Sequence, residues 1–251
     1  MTKQTDFEKA KSEFMSIFWG RSIDKKEDIL YAVELSFRDM QVRTIKGFSE
    51  VEDEAKVALR EWLSTQIENY FKGDAPLSEK DFDIFHKKLC KTIVEWFKGN
   101  LDQGKKATFT YGKAQKLVNM TFKNMYCYEA VADKIAHFRF CHIPIDSYII
   151  DAFKKRNIEG PKDEDKDTRD VVWSKMNLKA YDDYTNRLRA SVKEQYGEDM
   201  FPLQAEFIIW SEQKEAKAKE EHVKWEKNHR DKVNAKIDEI KKLSVKEDEC
   251  Y

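Results

Sequence analysis

Apolar residues recur at intervals of three and four along most of the chain, which is the spacing of amphipathic α-helices. The pattern predicts four helices in the first part of the chain, over 6–19, 22–42, 51–72 and 79–98. It predicts five more before residue 200, over 111–127, 129–138, 147–155, 170–176 and 178–195. No series of alternating apolar and polar residues indicates strands, so the sequence predicts an all-α fold.

Residues that favour helix ends support several of these boundaries. Ser49 and Glu52 have the spacing of a capping box at the start of the third helix. Pro144 disfavours helix in the residue before it, and Asp146 is then well placed to cap the helix that follows. Residues 159–170 are rich in charge and turn formers, which predicts an exposed loop.

From Leu203 the pattern predicts one long helix to about residue 243. Its first turns are apolar, but beyond Gln213 it is mostly Lys, Glu and Ala with sparse apolar residues, namely Val223, Trp225, Val233, Ile237 and Ile240. Such a helix needs a partner along its thin apolar stripe or many ion pairs along its surface. We therefore expect a globular helical domain over 1–202 and a charged arm over 203–251, packed at its start. The arm is a candidate for binding a protein partner or a second copy of the chain.

Charge is balanced overall but not locally. The 251 residues include 46 basic and 47 acidic ones, so net charge predicts no strong attraction to nucleic acid or to anionic membranes. Residues 103–128, however, contain no Asp or Glu and five lysines: Lys105, Lys106, Lys113, Lys116 and Lys123. A local positive field that contacts DNA is therefore compatible with a neutral protein.

Other features of the composition predict a reduced, cytoplasmic protein. The four cysteines are far apart and form no CxxC pair. The first residues are charged, which does not indicate a signal peptide, and no apolar run reaches the ~20 residues of a membrane span. Cys127, Cys141 and His142 match no zinc spacing, so we expect no metal, and no motif indicates a cofactor.

The predicted helix over 111–127 has two different faces. One half is mainly apolar. The other half carries four polar side chains: Lys116, Asn119, Lys123 and Tyr126. The simplest interpretation is a core face backed by a solvated face. The alternative is a cleft wall, because Met120 and Cys127 flank Lys123, and partial desolvation there would lower the pKa of its amine and make it a nucleophile.

Asp146 also allows two interpretations. It is an ordinary helix N-cap. It is also a carboxylate at the positive end of a helix, which favours its ionised form. An ionised carboxylate beside a nucleophilic lysine suits displacement of a base from a sugar.

Segments 115–123 (QKLVNMTFK) and 143–147 (IPIDS) resemble the lysine helix and the Pro-hydrophobic-Asp corner of helix-hairpin-helix DNA glycosylases. Within that family they are most similar to the archaeal 8-oxoguanine DNA glycosylase/lyase branch. The resemblance implies an all-helical fold, with Lys123 as the Schiff-base nucleophile and Asp146 as the catalytic carboxylate. The residues then expected to bind substrate are Lys105, Lys106, Lys113, Lys116, Asn119 and Tyr126.

The same two segments also resemble uncharacterised helical proteins of bacteria and phages, a likeness that implies no activity. The sequence therefore leaves two functions open. One is a DNA-repair glycosylase/lyase. The other is a non-catalytic helical protein that binds nucleic acid or protein.

Overall fold

The computed structural model describes the backbone of residues 3–18, 28–40, 45–101, 109–162 and 170–248. Side chains are described in the same ranges except at Lys3, Phe18, 129–130 and 239–248. Within these ranges there is no β-strand, and an isolated antiparallel bridge joins Lys162 to Asp170. The predicted all-α fold is confirmed.

Eight α-helices lie in the described ranges. They are α1 (Lys3–Phe18), α2 (Ile29–Asp39), α3 (Asp53–Lys72), α4 (Glu79–Asn100), α5 (Tyr111–Tyr126), α6 (Ser147–Lys154), α7 (Leu178–Tyr196) and α8 (Pro202–Asp248). The same ranges contain three 3-10 helices, at Phe48–Glu50, Glu129–Phe138 and Trp173–Lys175.

Side-chain caps begin several of the helices, and the predicted cap at Asp146 is confirmed. Ser78 Oγ accepts a hydrogen bond from the Asp81 amide at 3.3 Å, and Asp146 Oδ1 accepts one from the Ile149 amide at 3.1 Å. The predicted capping box of Ser49 and Glu52 is wrong. Ser49 lies inside a 3-10 turn, and the Glu52 side chain makes no cap hydrogen bond at the start of α3.

Other predicted boundaries also differ from the structure. Helix α2 begins at Ile29 with Asp28 as its cap, while the predicted start at residues 22–24 lies outside the described residues. The segment predicted as a helix over 129–138 forms 3-10 turns that are interrupted at Val131 and Lys134, where φ and ψ are non-helical. The helix predicted over 170–176 is reduced to the turn Trp173–Lys175.

Helix α5 is the centre of the globular core. It packs against α2, α4, α7 and both 3-10 helices that follow it. Every residue of α5 except Lys113 is buried, so the predicted solvated face is wrong. The polar half of α5 can be buried because neighbouring elements supply polar partners for its side chains.

The chain divides into two compact units, Met1–Ser211 and Glu212–Tyr251. The first turns of α8 therefore belong to the globular unit, with Leu203, Phe207 and Ile209 fully buried. No helix of the described residues is long and apolar enough to span a bilayer.

Candidate functional site

A surface cleft of about 440 Å³ contains three of the residues that the sequence singled out, Lys113, Lys116 and Asp146. The Lys116 amine lies 3.3 Å from Asp146 Oδ2 and 3.1 Å from Asp39 Oδ2. The ring of Trp173 covers the same amine, with its centroid 5.2 Å away. The cleft therefore combines a cation, two carboxylates and an aromatic wall.

Buried side chains of α5 hold the Asp146 corner in place. The Gln115 amide bonds both backbone groups of Ile145, donating to its carbonyl at 2.7 Å and accepting from its N–H at 3.1 Å. Asn119 donates to the Ile143 carbonyl at 3.2 Å. An extended segment buried against a helix has no ladder partner, so these amides satisfy its backbone. The Gln and Asn of the 115–123 segment thus have a packing role.

Trp173 reaches the cleft because its backbone lies directly on the start of α5. A Cβ atom at Gly112 would collide with the Trp173 carbonyl oxygen, so only glycine allows this approach. The Gly112 amide donates to the Met176 carbonyl at 3.0 Å, and Thr110 Oγ1 donates to the Ser174 carbonyl at 2.7 Å. These contacts fix the aromatic wall relative to Lys116.

The electrostatics of the cleft keep Lys116 protonated. Burial disfavours its charged form, but the two carboxylates outweigh burial and raise the pKa of the amine above its usual value. A lysine nucleophile needs the opposite shift. Lys113, at the edge of the cleft, has its pKa lowered by partial burial.

Lys123 lies elsewhere, in the interior. Its amine is 2.7 Å from Glu206 on α8, and both side chains are at most 2% exposed. Three rings surround the amine, with centroids 4.2 to 5.1 Å away: Phe14, Phe207 and Trp210. Burial raises the pKa of Glu206, and the lysine partly offsets this effect. Lys123 and Glu206 therefore form an ion pair that is sealed from solvent.

The expected pairing of Lys123 with Asp146 is therefore wrong among the described residues. Asp146 pairs with Lys116, and Lys123 pairs with Glu206. The sequence did not predict the true partner of Lys123 because that partner is distant along the chain. A lysine inside a core needs a carboxylate, and α8 supplies one 83 residues further on.

The other predicted binding residues are also distributed over different environments. Asn119 and Tyr126 are both buried, and the Tyr126 hydroxyl accepts a hydrogen bond from Gln204 at 2.8 Å. Lys105 and Lys106 lie outside the described residues. Of the four that the structure describes, Lys113 and Lys116 line the cleft, and Asn119 and Tyr126 do not.

A second polar cluster was not found from the sequence. His142 Nε2 lies 2.7 Å from Asp83 Oδ1, and its Nδ1 lies 2.6 Å from the Tyr181 hydroxyl. Arg189 bonds the same Asp83 carboxylate at 2.6 and 3.1 Å. His86 packs on the ring of Tyr181. In the described part of the chain, no group of His, Cys, Asp and Glu is arranged to hold a metal ion.

Burial sets the protonation of this cluster. It lowers the pKa of His142 to about 4 and the pKa of His86 well below its usual value. Burial alone would raise the pKa of Asp83, but hydrogen bonds from His142 and Arg189 lower it instead. At neutral pH both histidines are therefore uncharged and the aspartate is ionised.

The distal part of α8 carries a different kind of surface. Every side chain from 218 to 238 is exposed. Large apolar side chains are among them, with exposed fractions of 63% for Val223, 60% for Trp225 and 43% for both Val233 and Ile237. The Trp225 ring stacks between His222 and His229, at centroid distances of 6.2 and 5.1 Å.

Comparisons with protein-family models, with curated proteins and with solved structures find no match for this chain. The resemblance to helix-hairpin-helix glycosylases therefore stays a prediction.

Sequence reasoning missed Asp39, Trp173 and Glu206, the residues that set the environments of Lys116 and Lys123. None of them stands in a recognisable motif, and each meets α5 only through the tertiary fold. The one available signal was the number of lysines on a helix with no acidic residue, since buried lysines require carboxylates from other elements.

Proposed function

We propose that this chain is a non-catalytic binding protein that contacts a protein partner through the exposed part of α8. The observation that carries the proposal is the set of large apolar side chains on an otherwise charged helix. Val223, Val233 and Ile237 lie within about 80° of one another when residues are placed about 100° apart around the helix. They form a narrow stripe, here called the seam.

The charge of this helix favours a protein over nucleic acid. Residues 212–238 contain eight Lys and Arg and seven Asp and Glu. Phosphate binding requires an excess of positive charge along one surface. A nearly neutral helix with an apolar stripe instead suits an amphipathic helix of another protein, with its own apolar stripe flanked by charges of both signs.

The stability of the helix supports the same interpretation. Most helices of folded proteins gain their stability by burying an apolar face, and the exposed part of α8 buries none. The contact between His222 and Glu226, at 3.4 Å, provides only weak support because both side chains are more than half exposed. Covering the seam would supply the missing burial.

Photo-crosslinking in the cells that make the protein tests the proposal. A benzoylphenylalanine placed at Val233 should give one discrete protein adduct, and the same group at Asn228, on the opposite side of the helix, should not. The identified partner, produced separately, should bind the full chain and lose at least about tenfold in affinity with Val233→Asp. Equal adducts from both positions, or adducts with nucleic acid, contradict the proposal.

A second candidate is the base-excision activity that the resemblance implies. The observation in its favour is that Asp146, two lysines and an aromatic wall share one cleft, which suits a flipped base. Borohydride trapping on duplexes with oxidised guanine or an abasic site tests it. A covalent adduct that Lys116→Gln abolishes supports the activity, while no adduct and no base release on these duplexes excludes it.

A further inference from the structure

The seam of α8 contains two opposite charges whose positions restrict what can cover it. Val223, Val233 and Ile237 follow the alternation of three and four residues that defines positions a and d of a heptad. With Val223 and Ile237 at a and Val233 at d, Glu226 falls at d and Arg230 at a. A partner helix must therefore face a carboxylate and a guanidinium within an apolar stripe.

Both seam charges are exposed on the helix itself. Glu226 contacts His222 at 3.4 Å, which is a charged pair only when the histidine is protonated. Within the part of the chain that the structure describes, Arg230 makes no ion pair, and both Glu226 and Arg230 are exposed to solvent. A partner that brings the opposite charge to each position would stabilise the contact.

A parallel copy of the same helix does not meet this requirement. In a parallel pair, position a faces a and d faces d. Arg230 would then face the other Arg230, and Glu226 the other Glu226. Like charges in a seam destabilise pairing.

An antiparallel copy does meet it. In that arrangement position a faces position d of the other chain. When Val223 faces Val233, Glu226 faces Arg230, and the two-fold axis repeats both contacts. When one helix is shifted by one heptad, Arg230 faces Lys219 or Val233, depending on the direction of the shift. Of these three registers, the one with Val223 facing Val233 is the one that pairs both charges.

We propose that the partner of the seam is a second copy of this chain, bound antiparallel with Val223 facing Val233 and Glu226 facing Arg230. The proposal rests on the proposed function and names its partner. The contact is symmetric and closed, so it gives a dimer and not a filament. Lys219 and Ile237 also face each other, and the aliphatic stem of the lysine covers the isoleucine. Lys227 lies beside its own copy near the two-fold axis, so the dimer is expected to be weak.

Charge reversal on the full chain tests the register. Sedimentation equilibrium should show a monomer–dimer equilibrium for the wild type. Arg230→Glu or Glu226→Arg alone sets like charges against each other and should raise the dimer dissociation constant at least about tenfold. The double variant should restore it to within about threefold, and an equimolar mixture of the two single variants should dimerise again. Unchanged helicity by circular dichroism controls for folding.

Cysteine crosslinking tests the direction, in a Cys250→Ser background. A mixture of Val223→Cys and Val233→Cys chains should form a mixed disulfide on mild oxidation, and neither variant alone should crosslink efficiently. Crosslinking of Val223→Cys with itself indicates a parallel pair and overturns the proposal.

The outcomes also separate this proposal from the one before it. A wild type that stays monomeric at about 1 mM overturns the antiparallel dimer. If photo-crosslinking at Val233 then finds a different protein, the binding function stands and only its partner changes. If neither a dimer nor an adduct specific to the seam forms, both proposals fall.

Discussion

Lys116 and Lys123 lie seven residues apart on α5, and the sequence gives them similar neighbours. Lys123 is enclosed by three aromatic rings and paired with one carboxylate, at 1% exposure. Lys116 lies between two carboxylates at the edge of a cleft, with 10% of its side chain exposed. The same residue type, two turns apart, is a sealed structural ion in one place and part of an open polar site in the other.

The difference shows that the environment of a helical lysine is set by what packs against it. Near Lys123 the covering elements are α1 and α8, which bring Phe14 and Glu206. Near Lys116 they are the end of α2 and the 3-10 turn at Trp173. Removing Lys116 and removing Lys123 should therefore change the free energy of unfolding by different amounts, and the two changes should depend differently on ionic strength.

The largest effect is expected from Lys123→Met. It leaves the Glu206 carboxylate buried without its cation, which costs about 3–5 kcal/mol of unfolding free energy. Urea denaturation at neutral pH measures the change. Lys224→Met, on the exposed part of α8, is the matched control and should change stability by less than about 0.5 kcal/mol.

The double variant Lys123→Met/Glu206→Leu sharpens this test. Replacing both members of a buried pair by apolar side chains of similar volume removes the uncompensated charge. Most of the loss should be recovered. A double variant as unstable as the single one would show that the lysine acts through packing and not through its charge.

The next effect concerns pH and the buried cluster of His142 and His86. Both have pKa values lowered by burial, so the unfolded chain binds protons that the folded chain does not. Stability is complete above the unfolded histidine pKa of about 6.5 and falls as pH decreases toward the folded values. The expected loss is roughly 1.4 kcal/mol per pH unit for each histidine between about pH 6 and 4.5.

Denaturation curves at several pH values for His142→Gln test this slope. The variant is less stable at neutral pH because it loses its bonds to Asp83 and Tyr181. Its stability should nevertheless depend less steeply on pH than that of the wild type. His222→Gln, which alters an exposed histidine, should leave the slope unchanged, and an equal slope in all three proteins would contradict the assignment.

The smallest effect is expected at the cleft. Lys116→Met leaves Asp39 and Asp146 close together, but water reaches both carboxylates. The expected cost is about 1–2 kcal/mol, between that of an exposed ion pair and that of a fully buried one. It should shrink as ionic strength rises, because salt screens the repulsion of partly exposed charges. A loss as large as that of Lys123→Met, or one insensitive to salt, would remove the distinction between the two sites.

Several features of the fold followed directly from the sequence. The period of apolar residues predicted the helical class, and the cap at Asp146 formed as predicted, because a cap uses a hydrogen bond within three residues. The long charged helix was also evident, since no local breaker interrupts it between Pro202 and Asp248.

Only the tertiary structure decided which polar residues are buried and with which partners. The polar half of α5 was expected to face water, yet Gln115 and Asn119 bind the extended segment before Asp146, and Lys123 binds Glu206. These contacts join residues 24 to 83 positions apart. Helical periodicity predicts the direction in which a side chain points around its own helix. It does not predict which residues from distant parts of the chain contact that side chain.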